Sequence, residues 1–383
     1  MLLPGTAPRY TIAMTCSVGP GARGPCLMPS RMLPAEAIAG SLGQRELAAR
    51  GPVPASTAAA VRARPSFRGM GRAQRRAIVP AMVTERVLWA AWAKVAAGSG
   101  MPGVDGVTPE RYAGKVGERL VELADLLRSR EYRPQPLRAL TVTRNGKARS
   151  LAVPTVRDRI AQRAFLEAAR LLLDSAAAEA SFAYRRGRSW LDALGKVERC
   201  RDQGLRWVFR GDIEKFFDRI DHGLVQQSLT KLFKEPHAVD LAMAWVRAPV
   251  LGPNGLVDRT AGVPQGAPIS AALANHYLTP LDEAVDGSVG TLVRYADDLC
   301  VCCPDEQAAS RASWMVDCAL SRVRLAMNPE KTYISSFDRG FSFLGWVFFR
   351  HDGWEEDPSG NWTHPMAVGR NRRAARAGSS RPR

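Results

Sequence analysis

Apolar residues recur at helical spacing at Val87, Leu88, Trp92 and Val95, a stripe that stops at Gly98. GMPGVDGVTPE then reads as a glycine-rich turn, with Thr108 as N-cap and Pro109 at the first position of the next helix. Tyr112, Val116, Leu120, Leu123 and Leu127 form the core face of that helix. The segment RALTVTRNGKARSLAVP predicts a hairpin, two β-rich runs around Asn145-Gly146, after which Thr155 caps the helix VRDRIAQRAFLEAARLLL. LRWVFRGDIEKFFDRIDH, residues 205–222, opens as a short apolar strand that delivers Asp212 at its end. GVPQGAPIS, residues 262–270, is a Gly-Pro loop leading into the apolar helix AALANHYLTPL. VRYADDLCVCC, residues 293–303, sets Asp297 and Asp298 between two apolar runs.

Residues 1 to about 81 break these patterns: they are rich in Ala, Pro, Gly and Arg, show no sustained period and are not expected to fold alone. Met70 and Met82 allow a second reading, in which the true start lies downstream. Order is expected from near Met82. The chain closes in GRNRRAARAGSSRPR, which reads as a disordered basic tail.

A chain of 383 residues, 46% hydrophobic and 24% charged, is globular in composition and long enough for two or three subdomains. Its formal net charge of +17 is the footprint of a polyanionic partner, with nucleic acid the first candidate. The excess recurs on a hairpin, two helices and a loop, through residues such as Arg138, Arg144, Lys147, Arg149, Arg163 and Arg186, which favours a phosphate-facing surface over a merely solvated one. No window approaches the roughly 18 apolar residues of a membrane span, and no apolar h-region opens the chain, so a soluble cytoplasmic protein without membrane partners is expected. The Cys count of seven is odd and has no paired spacing, which argues against a disulfide framework. Cys300, Cys302 and Cys303 lie in an apolar run without a nearby His and read as buried strand residues rather than metal ligands.

An unbroken strand points adjacent side chains to opposite faces, whereas a hairpin tip brings Asp297 and Asp298 to one edge. A solvated turn explains the pair without any chemistry. Asp212, a third acid at a strand end, supports a different reading. Nucleotidyl transfer uses two Mg²⁺ ions about 3.5–4 Å apart, and a few carboxylates converging from different strands supply the hard oxygen ligands. The glycines of GVPQGAPIS let main-chain N–H groups and Gln265 approach a ligand closely.

The ordered series GVDGVT, ARSLAVPTVRDRIAQ, SFAYRRGRS, GDIEKFFD, GVPQGAPIS, RYADD, LAMNPEKT and FSFLGW resembles the blocks of bacterial reverse transcriptases of the group II intron type, from about Met82 to Trp346. The resemblance implies an α+β right-hand polymerase fold, with fingers and a palm whose antiparallel sheet is flanked by helices, and a thumb short or absent. The implied division is a low-complexity extension over 1–81, fingers over 82–204, palm over 205–346 with an interleaved fingers segment, and a basic tail or vestigial thumb over 347–383. It implies RNA-directed DNA polymerase activity with two Mg²⁺ ions, an RNA template, a DNA or RNA primer and deoxynucleoside triphosphates.

By the same resemblance Asp212, Asp297 and Asp298 are the catalytic, metal-binding acids, aided by the main-chain carbonyl of Ile213. Arg144 and Arg149 meet the incoming triphosphate, although the family more often has Lys at the first position. Phe217 is the ring that clashes with a ribose 2′-hydroxyl, and its neighbour Phe216 is the alternative, since a one-residue register change swaps their faces. Gln265 and Gly266 touch the forming base pair, while Lys331 and Phe343 to Trp346 support the primer end. Lys331 reads equally as a solvated helix-end charge. Asp221 reads as the cap of the helix starting at His222, His222 as structural, and Asp105 as a turn former. No maturase or nuclease cluster follows the FLGW block, so assistance to splicing is not expected. SFAYRRGRS and LRWVFRGDIEKFFD are most similar to the CRISPR-associated branch, which works with a separate adaptation integrase to capture RNA-derived spacers in antiviral defence. The alternatives are an RNA-binding or assembly protein that keeps the fold but synthesises weakly, and a fragment of an intron-encoded protein.

Overall fold

The computed structural model describes residues 77–98, 100–144 and 147–350. Its helices and strands run in the order α1 (Ile78–Met82), α2 (Glu85–Ala96), α3 (Pro109–Ala113), α4 (Val116–Arg128), β1 (Leu137–Arg144), β2 (Lys147–Val153), α5 (Val156–Ala176), α6 (Trp190–Asp202) and β3 (Trp207–Asp212). There follow α7 (Phe216–Arg219), α8 (His222–Phe233), α9 (Pro236–Arg247), β4 (Val250–Gly252), β5 (Gly255–Val257), α10 (Pro268–Tyr277) and α11 (Thr279–Val285). The remainder is β6 (Thr291–Tyr295), β7 (Asp298–Cys303), α12 (Glu306–Arg322), β8 (Tyr333–Ser336), β9 (Phe341–Phe343) and β10 (Trp346–Phe348). They divide between two compact units. One comprises the described residues up to Ala176 with Ile220–Ala274, the other Ala177–Arg219 with the described residues from Asn275 on.

In the first unit, α5 packs against α1, α2 and α8. Its core sets the Phe165 ring edge-on to Trp245 and Phe233, at centroid distances of 5.4 and 5.5 Å. A polar thread crosses that core: Trp245 Nε1 donates to the Tyr132 hydroxyl at 2.9 Å, which donates to Asp158 Oδ1 at 2.7 Å. Burying these groups is tolerable because each finds a partner. Helix α1 is already ordered at Ile78, ahead of Met82, because the Glu235 carboxylate accepts the N–H groups of Ile78 (2.5 Å) and Val79 (3.1 Å). The rest of the N-terminal low-complexity reading, and the tail from residue 351, lie outside the described residues. The expected single helix after Thr108 is two, α3 and α4, which part at Gly114 and Lys115 and leave Val116 only partly buried. Thr108 caps α3 as expected, accepting the Arg111 N–H at 3.3 Å.

The sheet of this unit has the order β2-β1-β4-β5. The β1–β2 hairpin is antiparallel from Arg138 opposite Val153 to Arg144 opposite Lys147, and its Asn145-Gly146 tip lies outside the described residues. The loop before α10 lies along β2, where the Gln265 carbonyl accepts the Ala152 N–H at 2.7 Å.

The second unit is built on the antiparallel sheet β6-β7-β3-β8. Alternation puts Val208, Cys300 and Cys302 on one face, in a cluster with Ala193, Leu194 and Val197 of α6 and Phe343 of β9. Phe209, Leu299 and Val301 are also fully buried, and α12 packs against β3, β7 and β8. A sheet covered on both faces needs near-continuous apolar strands, which is why LCVCC lacks a polar alternation. Cys300, Cys302 and Cys303 are free, fully buried strand residues, as their apolar setting predicts. Among the described residues no helix is long and apolar enough to cross a membrane.

Candidate active site

The register of the second unit's sheet brings the acids together. Asp212, the last residue of β3, stands opposite Asp298, the first of β7, and opposed residues of a ladder project to the same face. On its other side Asp298 pairs with Tyr295, the end of β6, leaving Ala296 and Asp297 as a two-residue turn. Ala296 has φ +58°, the left-handed region that an alanine adopts only when its surroundings compel it. The two-residue turn demands it, and Arg294 Nη1 steadies the turn by donating to the Ala296 carbonyl at 3.0 Å. The Arg294 guanidinium is itself fully buried, and is held by both Asp282 oxygens and by Asn275 Oδ1 at 3.0 Å. The Asp297 carbonyl accepts the Ile213 N–H at 3.2 Å, joining the turn to the chain that follows Asp212.

Three carboxylates in one place repel each other. Burial holds the Asp297 carboxyl above the ordinary carboxylate range, and the charges of Asp212 and Asp298 push it further, with Lys331 opposing. Burial also raises Asp298, with Arg210 opposing. Lys331 Nζ is 3.0 Å from Asp212 Oδ2, on a side chain that stays largely exposed. Arg210 Nη2 is 2.7 Å from Asp298 Oδ1. Neither Arg210 nor Arg294 stands out in the sequence, where each is one basic residue inside an apolar run.

The donor set suits a hard cation. Among the described residues no group of three or more His, Cys, Asp or Glu side chains is arranged to hold a metal ion by itself. Mg²⁺ does not need one, since it is commonly held by one or two carboxylates together with water and substrate phosphates. Asp212 and Asp297 are carboxylates of the kind that would hold such an ion, and a cation there would offset their mutual repulsion.

Of the two phenylalanines, Phe216 is buried at 2% exposure and Phe217 is partly open, the rings meeting edge to face at 5.4 Å. Arg149 lies on β2 opposite Val142 and is exposed; Arg144 closes β1. Gly266 has φ +109°, and a Cβ there would come within 3.3 Å of the Ala152 carbonyl oxygen, so the turn after Gln265 favours glycine on both counts. Arg144, Arg149, Gln265 and Gly266 belong to the first unit, and Asp212, Ile213, Phe217, Asp297 and Asp298 to the second. Asp221 caps α8 through the Leu224 N–H at 2.9 Å, His222 Nε2 is 2.7 Å from the Gly262 carbonyl, and Asp105 accepts the Val107 N–H at 3.1 Å. Each of these three is satisfied locally, as a structural residue is.

Residues 140–348 match the family model described as "Reverse transcriptase (RNA-dependent DNA polymerase)", a span that contains the candidate site residues from Arg144 to Asp298 and Lys331. The chain belongs to that family. It is 28% identical to Protein YkfC of Escherichia coli (strain K12) over 289 residues, 65% of this chain and 76% of that one. It is 31% identical to the group II intron-encoded protein LtrA of Lactococcus lactis subsp. cremoris over 187 residues, which is 47% of this chain but only 30% of LtrA. Among solved structures it is similar to a chain of a partial Cas6-RT-Cas1--Cas2 complex, with 25% identity, a TM-score of 0.41, and coverage of 65% of this chain and 42% of that one. As a member of the reverse transcriptase family it has the α+β polymerase fold and carries the RNA-dependent DNA polymerase domain.

Proposed function

We propose that this reverse transcriptase extends a primer on an RNA template by metal-assisted nucleotidyl transfer, with Asp212 and Asp297 as the carboxylates nearest the chemistry. The observation that supports it is the β3–β7 register, which gathers Asp212, Asp297 and Asp298 at one end of one sheet. Two bound Mg²⁺ ions supply activation of the primer 3′-hydroxyl and neutralisation of the departing pyrophosphate. The protein's own part is to hold the carboxylates in position, to place the template–primer end and to select the nucleotide. The Ile213 carbonyl is a further oxygen beside Asp212. Phe217, the partly open ring, is the choice for the residue that excludes a 2′-hydroxyl. Arg149 and Arg144 serve the triphosphate, and Gln265 with Gly266 the nascent base pair.

In the finer reading the DNA copy passes to a separate adaptation integrase in CRISPR spacer capture, a role supported by the wording of SFAYRRGRS and LRWVFRGDIEKFFD. Co-purification with such an integrase tests that role on its own.

The polymerase reading is tested with a defined RNA template, a short DNA or RNA primer, Mg²⁺ and the four deoxynucleoside triphosphates. DNA complementary to the template is the expected product. Tight template binding without any extension supports instead an RNA-binding protein that has lost useful synthesis.

A further inference from the structure

Arg210 precedes Asp212 by two residues on β3 and so lies on the same sheet face, at 7% exposure. Every part of its guanidinium is engaged. Nη2 donates to Asp298 Oδ1 at 2.7 Å, Nε donates to the Ser342 carbonyl at 2.7 Å, and Nη1 donates to the Leu299 carbonyl. Its carbon lies 4.8 Å from the centroid of the Phe343 ring. The Leu344 N–H also favours the charged form of Asp298. Leu344 and Gly345 have φ of +52° and +80°, the pattern of the tight two-residue turn that joins β9 to β10. Arg210 of β3 therefore joins Asp298 of β7 to Ser342 of β9, beside the turn of the β9–β10 hairpin.

The other two acids are placed differently. Asp212 pairs with Lys331, whose side chain is 60% exposed; such a contact is screened by water and easily exchanged. Among the described residues Asp297 makes no ion pair. The buried, fully hydrogen-bonded arginine fixes the orientation of the Asp298 carboxylate through Oδ1, whereas among the described residues Asp212 and Asp297 have no such buried partner to hold them away from an ion.

Resting on the metal reading above, we infer that Asp298 is a positioning residue, fastened by Arg210 so that β7 and the β9–β10 hairpin are tied together, and that Asp212 and Asp297 are the carboxylates that take the metal. Arg210 is then as specific a part of the site as the acids, because it decides which of the two adjacent aspartates faces the ion.

The test uses the full chain with Mn²⁺ as a spin probe, its binding followed by electron paramagnetic resonance. Asp212→Asn and Asp297→Asn are expected to weaken Mn²⁺ binding by about 100-fold or more, and Asp298→Asn by no more than about tenfold, the scale of a supporting residue. Because Asp298→Asn strands a buried arginine, the pair Arg210→Met/Asp298→Asn is measured beside it, removing both charges together. That pair is expected to keep Mn²⁺ affinity within the same range of about tenfold while kcat for single-nucleotide addition, corrected for the folded fraction, falls about tenfold. A merely structural pair lowers the folded fraction and leaves that corrected kcat unchanged, which contradicts the inference. Equal loss of Mn²⁺ in Asp298→Asn and Asp297→Asn overturns it while the metal reading stands. Unaltered Mn²⁺ binding in both Asp212→Asn and Asp297→Asn overturns the metal reading and the inference with it.

Discussion

Asp212 stands directly opposite Asp298 across the β3–β7 ladder, and Asp297 occupies the turn beside them. Like charges so placed weaken the sheet that carries them. Asp297→Asn is therefore expected to stabilise the metal-free protein by a few tenths to about 1 kcal/mol, read by urea unfolding in the presence of a chelator. The sign with pH follows from the raised Asp297 carboxyl. A carboxyl raised in the folded state contributes stability that is present below its unfolded value, about pH 4, and is lost as pH rises through the folded one. The advantage of the variant is thus expected to widen as pH rises towards 7. Mg²⁺, binding only the folded chain, is expected to raise the Tm of the natural protein more than that of the variant.

Arg294 and Asp282 form a fully buried pair, Nε lying 2.6 Å from Oδ1 and Nη2 2.5 Å from Oδ2. Removing one member of such a pair leaves an uncompensated charge, so Arg294→Met and Asp282→Asn are each expected to cost about 3–5 kcal/mol. Their double variant is expected to cost less than the sum. Equilibrium unfolding of the three variants checks this, and single costs below about 1 kcal/mol are incompatible with the pair's burial.

Phe216 and Phe217 separate by burial. Phe216→Ala is expected to cost about 3–5 kcal/mol of stability without altering nucleotide choice. Phe217→Ala is expected to cost less and to raise ribonucleotide over deoxynucleotide incorporation on the order of tenfold. Competition between the two nucleotide types at one template position distinguishes them, and no change in that ratio removes Phe217 from the gate.

Arg149 is exposed on β2. If it meets phosphate, Arg149→Ala flattens the dependence of log affinity for nucleic acid on log salt by about one unit. An unchanged slope assigns it to solvent.

The three acids were legible in the sequence because each sits where an apolar run ends, and a strand end or a turn there exposes its acid to one edge. Thr108 and Asp221 were legible for a local reason too, since a cap needs only a partner three residues on. The residues that hold the acids were not. Arg210 reaches a partner 88 residues away, and its position within WVFRGD looks like any solvent-facing strand residue until both faces of the sheet are seen to be covered. Arg294 shares that disguise, since its role depends on Asp282 and Asn275 being folded back against β6. The division of the helix after Thr108 was hidden as well, because Tyr112 and Leu120 keep their apolar faces on either side of Gly114.

If Asp212 and Asp297 form the metal-holding pair, DNA synthesis depends on both. Single-nucleotide addition to a primer on an RNA template, followed against Mg²⁺ concentration for the natural chain, Asp212→Asn and Asp297→Asn, tests it most directly when template–primer affinity is measured in the same samples. Each variant is expected to lose about 10³-fold or more in rate, with affinity within about twofold of the natural chain. Addition by either variant within about tenfold of the natural rate at the same Mg²⁺ concentration contradicts it.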